Sequence, residues 1–459
     1  MADEQSLINS LFTLVESVIF FGDRLGSGQF VSLMSPGQFI SLKLAEGNKN
    51  DEYIQYDLTN DCLDTSFIRS PLISTIGGKY EEIMMFKALP YKALTQTQQN
   101  QLDNDSKIVN LLSDVYFKYQ GIYQGADRDY QAALVNPQTD AGVLQGLSDA
   151  RDRALTQWNI AGKKQAFENA YSDMLYLQSG DPRTYFQQLD QQRTQFLLTS
   201  SRGSYYRTLF EPAVADWPNA SWTHAVLDTS TVASSSYSRS TSWSGGISVG
   251  WGLWSFGGSG GHSETYQHDH SAVTNLSADL EYLRVRISRP WLQKDVFSYR
   301  FWTWLKTHGF VYLSDGGNPS ATPPVRPIGQ MPFFPEEMLV VRNVKLSATF
   351  TEKDNQVITS HMQAGASFGW GPFSISGKYS EDTAEVDTSA TFNGATISIV
   401  QPQVLGFLGS LMPQSPNPDP TLPWQGDDAQ PHSMSPATRE LFRSVRDADF
   451  SARGRVKGL

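Results

Sequence analysis

The chain has 459 residues, 39% hydrophobic and 12% aromatic, enough for a substantial core and too apolar for a disordered chain. A formal net charge of −11 argues against nucleic acid as the main partner, because phosphate binding needs a concentrated basic face. Cys62 is the only cysteine, which excludes an intramolecular disulfide and suits a reducing compartment without requiring one.

The first residues, MADEQSLINSLFTLVESVIFFGDR, lack a basic leading region and a small-residue cleavage site, so they do not read as a signal peptide. Asn9, Ser10, Glu16 and Ser17 interrupt the apolar residues, as in an amphipathic helix. No run reaches the roughly 18 uninterrupted apolar residues of a spanning helix. The sequence leaves location open between the producer's cytoplasm and export by a non-classical route to a target membrane.

Residues 1–105 read as a mixed α/β region. Within it GQFVSL at 28–33 and GQFISL at 37–42 bracket Met34-Ser35-Pro36, which predicts a hairpin. From 106 to 217 the period becomes helical. Ile108, Leu111, Leu112, Val115, Tyr119, Ile122 and Tyr123 share one face, as do Ala166, Phe167, Ala170, Tyr171 and Met174. Asp181-Pro182 starts a further helix. The expectation is an antiparallel bundle of three or four helices.

Residues 218–412 form a duplicated antiparallel β-module, with repeats at 222–292 and 341–405 joined by an aromatic- and proline-rich linker. Gly246, Ser248, Gly250, Trp251 and Gly252 match Gly365, Ser367, Gly369, Trp370 and Gly371 in register. Residues 413–459 are Pro-rich and polar, which predicts a flexible tail. The fold class is therefore α+β.

Each repeat contains G-x-S-x-G, at 246–250 and 365–369, the spelling of a hydrolase nucleophile elbow. Two copies, neither followed by a helix former, make that match an accident of glycine-serine strands. No phosphate loop, H-E-x-x-H or Ser/His/Asp set stands in a sensible context, so no enzyme and no cofactor is expected.

Strand side chains alternate faces. In the first repeat, serines occupy every even position from 234 to 244, opposite Tyr237, Thr241, Trp243, Ile247, Val249 and Trp251. Leu253 and Trp254 follow, and Phe256 continues the apolar side. In the second repeat Ile358, Met362, Ala364, Phe368 and Trp370 oppose Thr359, His361, Gln363 and Ser367, and then Phe373 and Ile375 oppose Ser374 and Ser376. Both stretches read as long amphipathic hairpins with charge-free, tryptophan-bearing tips.

Ser/Thr-rich limbs flanking an apolar tip resemble the insertion stem of aerolysin-type β-pore-forming toxins. Two such hairpins in one chain are similar to perforin-like and gasdermin arrangements. The resemblance implies a non-enzymatic protein that oligomerises and inserts its hairpins into membrane lipid. It makes Ile247, Val249, Trp251, Leu253, Trp254, Phe256, Phe368, Trp370, Phe373 and Ile375 the candidate insertion tips. A soluble β-sandwich with apolar faces inward fits the same pattern. So does a lectin-like module that stacks Trp251, Trp254 and Trp370 on a cell-surface glycan.

His262, Glu264, His268 and His270 share one parity on the strand leaving the first tip. They read as a solvated strand end, a metal site, or a switch charging near pH 6–7. Arg284, Arg286 and Arg289 read as partners of carboxylates across the sheet rather than as a phosphate site.

Overall fold

A computed structural model describes residues 29–65, 71–90, 96–134, 139–179, 182–228, 254–256, 264–266, 274–305, 308, 311–318, 325–364, 368–376, 390–422 and 424. Local signals set the first half. β1 (Gln29–Phe39) leads to α1 (Lys49–Leu58), which starts where the Asn48 side chain accepts from the Asn50 amide. β2 (Asp61–Leu63) and β3 (Pro71–Thr75) precede α2 (Ile76–Phe86), capped by Thr75. The helical region contains α3 (Gln96–Leu134), α4 (Ala141–Ile160), α5 (Lys164–Ser179) and α6 (Pro182–Gln195). Proline opens α6, where its missing N–H costs nothing.

Val109, Tyr116, Trp158, Phe167 and Ala170 form the bundle core, with Ile108, Leu112, Tyr119, Tyr123 and Met174 packed on it. Leu111 and Ile122, at the edge of the same stripe, stay exposed.

The second half builds a ten-stranded sheet. Its strands include β4 (Leu209–Glu211), β5 (Thr223–Asp228), β8 (Thr274–Ser288), β9 (Phe333–Thr349), β13 (Thr396–Ile399) and β14 (Gln403–Leu411). Between them in sequence lie β6 (Trp254–Phe256), β7 (Glu264–Tyr266), α7 (Glu352–Ala364), β10 (Phe368–Trp370), β11 (Phe373–Ser376) and β12 (Thr391–Phe392). The long central pair is β8 with β9, antiparallel. β5 and β4 share the outer edge of β8, while β13 and β14 share the other edge of β9. β1 closes the far side against β14.

The predicted hairpin at 28–42 is a single bulged strand. Both arms pair with β14, Gln29–Leu33 with Ser410–Gly406 and Gln38–Phe39 with Val404–Gln403, and the intervening residues bulge. A second bulge lies in β9, where Asn343 takes φ 52° and shifts the register opposite Asp279 and Glu281. Beyond it the inward-facing residues change parity, from Leu339 and Val341 to Val344, Leu346 and Ala348.

The sheet carries a core on each face. Leu283, Val285, Ile287, Met338 and Val340 pack with Tyr130, Ala133 and Leu144 of α3 and α4. Leu280, Tyr282, Leu339 and Val341 pack on the other face with Ile358 of α7 and with Phe368, Trp370, Phe373 and Ile375. The segment between the repeats is no linker. Its Trp291, Phe297, Phe301, Trp302 and Trp304 form a third core with α2 and α6. The tail begins packed as well, because Gln414–Ser415 pairs with Ser314–Asp315 and Leu422 is buried.

Arg284 pairs with Glu337 across the sheet and with Asp152 of α4, and Arg286 pairs with Asp127 of α3. Arg289 instead donates to the backbone carbonyls of Pro335 and Thr59.

Candidate functional site

Two excursions leave the large sheet. The first runs from Asp228 to Thr274, between β5 and β8, and the second from Thr349 to Thr396, between β9 and β13. Thr274 is paired with Thr349, so the excursions depart side by side from one end of the sheet. Their distal parts meet again in a separate four-stranded sheet, ordered β7–β6–β10–β11. Phe256 lies opposite Phe368, Ser255 opposite Gly369, and Trp254 opposite Trp370.

The turn between β10 and β11 is Gly371-Pro372. Gly371 has φ 56°, as the first position of a type II′ hairpin turn requires. This turn is docked on the bulge of β1. The Gly37 amide donates to the Pro372 carbonyl at 2.7 Å, and the Ser374 hydroxyl donates to the Gly37 carbonyl. The Ser374 amide donates to Gln403 Oε1 at 2.7 Å, and Gln403 Nε2 donates back to the Ser374 carbonyl at 3.3 Å. A Cβ on Gly37 would meet Gln403 Oε1, Leu405 and the Val404 carbonyl at 2.8–2.9 Å. The doubled GQF[VI]SL motif thus presents a glycine backbone to the tip.

Phe368 is 1% exposed, and Trp370, Phe373 and Ile375 are 0% exposed. Burying side chains of this size stabilises by roughly 1.5–3 kcal/mol each. Trp254 and Phe256 lie in β6, and Glu264 in β7, where the backbone pairing alone is described. Ile247, Val249, Trp251, Leu253, His262, His268 and His270 lie outside the described residues. Among the described residues, no group of three or more His, Cys, Asp or Glu is placed to hold a metal.

The upstream limb of the second excursion departs from the strand expectation. Residues 352–364 form α7. Its start is a capping box: Thr351 Oγ1 and N donate to Asp354 Oδ2 at 2.7 and 3.0 Å, and the Asp354 amide donates to Thr351 Oγ1 at 3.1 Å. Alternation at 358–370 hid this signal, because Ile358 and Met362 also lie four apart and face the core as a helical pair. The β-branched run Val357-Ile358-Thr359 is a poor helix former, so the cap and the burial of Ile358 hold α7.

One relation links tip and base. In the second excursion Val344 pairs with Ile399 at the base and Trp370 with Phe373 at the tip. Equal numbers of residues separate these pairs on the two limbs. Between the excursions, Asp279 pairs with Lys345 and Phe256 with Phe368, again with equal separations. Single-residue irregularities occur at Thr274↔Thr349 and Phe368↔Ser376. Base and tip therefore share one register, although a helix lies between them on one limb. The first excursion is different. Asp228↔Ser277 continued inward turns at Gly252 and Leu253, whereas the pair Phe256↔Glu264 turns further along the chain.

No family model matches this chain, and the searches of curated proteins and of solved structures returned no match either.

Proposed function

We propose that the protein is a non-enzymatic, membrane-active protein that oligomerises and extends its two excursions as amphipathic β-hairpins into a bilayer. The observation that carries this reading is the shared register of base and tip. If α7 gave up its helix, residues 344–370 could run as one strand between 254–279 and 373–399 in the register of base and tip, with only Thr274↔Thr349 and Phe368↔Ser376 sliding by one residue. β7 and β12 would have to leave their present partners, and the first excursion would turn at Gly252 and Leu253.

Each limb would span roughly 20 residues, about twice the 9–11 that a transmembrane β-strand needs. Serine and glycine on one face suit an aqueous lumen, and the apolar face suits lipid. Closure among several copies would leave no unpaired edge. Burial energetics supports the same reading. Phe368, Trp370, Phe373 and Ile375 leave a core favourably only for another apolar medium. The glycan alternative needs exposed tryptophans, and Trp370 is buried in this state.

Dye release from liposomes, at pH about 7 and about 5, tests the reading across the histidine range. Ser255→Cys with Gly369→Cys cross-links partners in the tip sheet, and the native Cys62 is buried. Release by the wild type, loss in the oxidised double variant and recovery on reduction are expected. No release by the wild type from neutral or anionic vesicles would overturn it.

A further inference from the structure

A groove of about 800 Å³ runs between the C-terminal end of α2, one face of α6 and Leu305, and none of its lining residues belongs to either excursion. Its floor is apolar, with Met84 and Phe186 buried, and Met85 stands exposed at its rim. The Leu305 amide donates to the Phe86 carbonyl at 2.8 Å, which fixes the far wall. Lys87, Arg183 and Arg193 face this space against one carboxylate, Asp190, in a chain whose net charge is −11.

Lys87 is the distinctive member. The backbone of Lys87–Ala88 is held against Thr303–Trp304, so its side chain emerges from a fixed point. Its ammonium donates to the Met84 carbonyl at 2.5 Å and sits 5.0 Å over the Phe186 ring. No carboxylate among the described residues forms an ion pair with it. Arg193, by contrast, is paired with Asp190 at 2.5 Å. Burial pulls the Lys87 ammonium below its ordinary pKa, as expected where compensating charge is short, with Asp190 a smaller opposing influence. A half-buried cation on a methionine- and phenylalanine-lined floor matches a molecule with an anionic end and an apolar end. Phosphate is the anion an ammonium takes as a point charge, and methionine adapts to acyl chains of varied shape.

We propose that this groove seats an anionic phospholipid, with the phosphate on Lys87, the first methylenes over Met84 and Phe186, and Arg183 at the mouth. The protein would then recognise a bilayer surface through a site separate from the hairpins that enter it. Charge complementarity selects this occupant over a neutral lipid, and the apolar floor selects it over a free anion.

Flotation of the full chain with vesicles tests this, using the oxidised Ser255→Cys/Gly369→Cys protein so that insertion plays no part. Phosphatidylcholine vesicles with and without about 30% phosphatidylserine are compared, because anionic headgroups draw basic residues to the surface. Binding to the anionic vesicles alone is expected. Lys87→Met, which keeps the stem and the backbone ribbon, should weaken it about five- to tenfold. Met85→Glu, an exposed change unable to disturb the core, should weaken it at least as much. Equal binding by both folded variants, or equal binding to neutral vesicles, overturns the proposal. So does displacement by millimolar inorganic phosphate beyond that caused by chloride of the same ionic strength, which would make the groove a free-anion site. Failure of dye release by the wild type would leave this binding result unaffected.

Discussion

Where α3 and α4 cover the large sheet, buried charges reach across the interface. Where α7 and the tip sheet cover it, further along the face that Arg284 shares with Leu280 and Tyr282, the contact is apolar with a few backbone clamps. At the first contact Arg284 meets Glu337 at 2.8 Å and Asp152 at 3.1 Å, Arg151 meets Asp152 at 2.8 Å and Glu337 at 3.2 Å, and Arg151 lies 4.5 Å over the Tyr130 ring. Burial alone would raise the Asp152 carboxyl, but Arg284 and Arg151 hold it below the usual range. Separating that contact would strand charges in a dry interface. Separating the other exposes hydrocarbon and frees the Gly37, Ser374 and Gln403 hydrogen bonds, and a bilayer can take the hydrocarbon. We propose that the charged contact stays fixed and that the apolar one releases.

The largest expected effects break one contact at a time. Arg284→Met leaves Glu337 and Asp152 without their partner and should cost about 3–5 kcal/mol in urea unfolding. Dye release per folded molecule should stay unchanged, because the apolar contact of α7 and the tip is untouched. Trp370→Ala should cost a similar 3–5 kcal/mol through the cavity it leaves. In that variant release from vesicles should change together with stability. Leakage that followed Arg284→Met and ignored Trp370→Ala would reverse the assignment of fixed and releasable contacts.

A smaller effect lies in the helical region. Asp173 of α5 is pushed up to about 7, first by burial and then by Asp105, with Asp419 adding and Arg300 and Gln101 opposing. Its folded pKa lies above the unfolded value near 4, so the folded state keeps a proton that the unfolded chain has lost. Its contribution is fully present below pH about 4 and fades as pH rises to about 7. The melting temperature should fall across this window, and Asp173→Asn should flatten that part of the profile. The smallest effect concerns the clamp. Ser374→Ala removes the hydroxyl bond to Gly37, costs about 1 kcal/mol and should speed dye release several-fold at constant lipid.

Much of the fold was legible because hydrophobic period reports buried faces directly. The helices around Tyr116 and Phe167 and the strands at 277–287 follow from it, whereas Ser374 and Ser376 are buried along with Phe373 and Ile375, so the expected alternation of burial is absent there. The misses have physical reasons. Thr351 and Asp354 cap a helix, while the apolar spacing that follows satisfies both periods. The repeated GQF[VI]SL looks like two hairpin arms, yet β14 offers both arms a partner and the Pro-Gly segment bulges instead. Trp291, Trp302 and Trp304 sit among prolines and glycines without period, so composition marks them as linker although they fill a core. The docking partner Gln403 carries no local signal, since a buried glutamine is recognised only by what it bonds. The common register of base and tip needs the pairing partners themselves, which no single segment encodes.

The central claim is that α7 becomes a strand in the register that base and tip already share. Continuing Val344↔Ile399 along the second excursion places Ser360, exposed on α7, opposite Thr383. The Ser360→Cys/Thr383→Cys protein should therefore form an intramolecular disulfide on anionic liposomes and not in solution. Dye release that proceeds on those liposomes without this cross-link, or with a cross-link equally strong in solution, would contradict the claim.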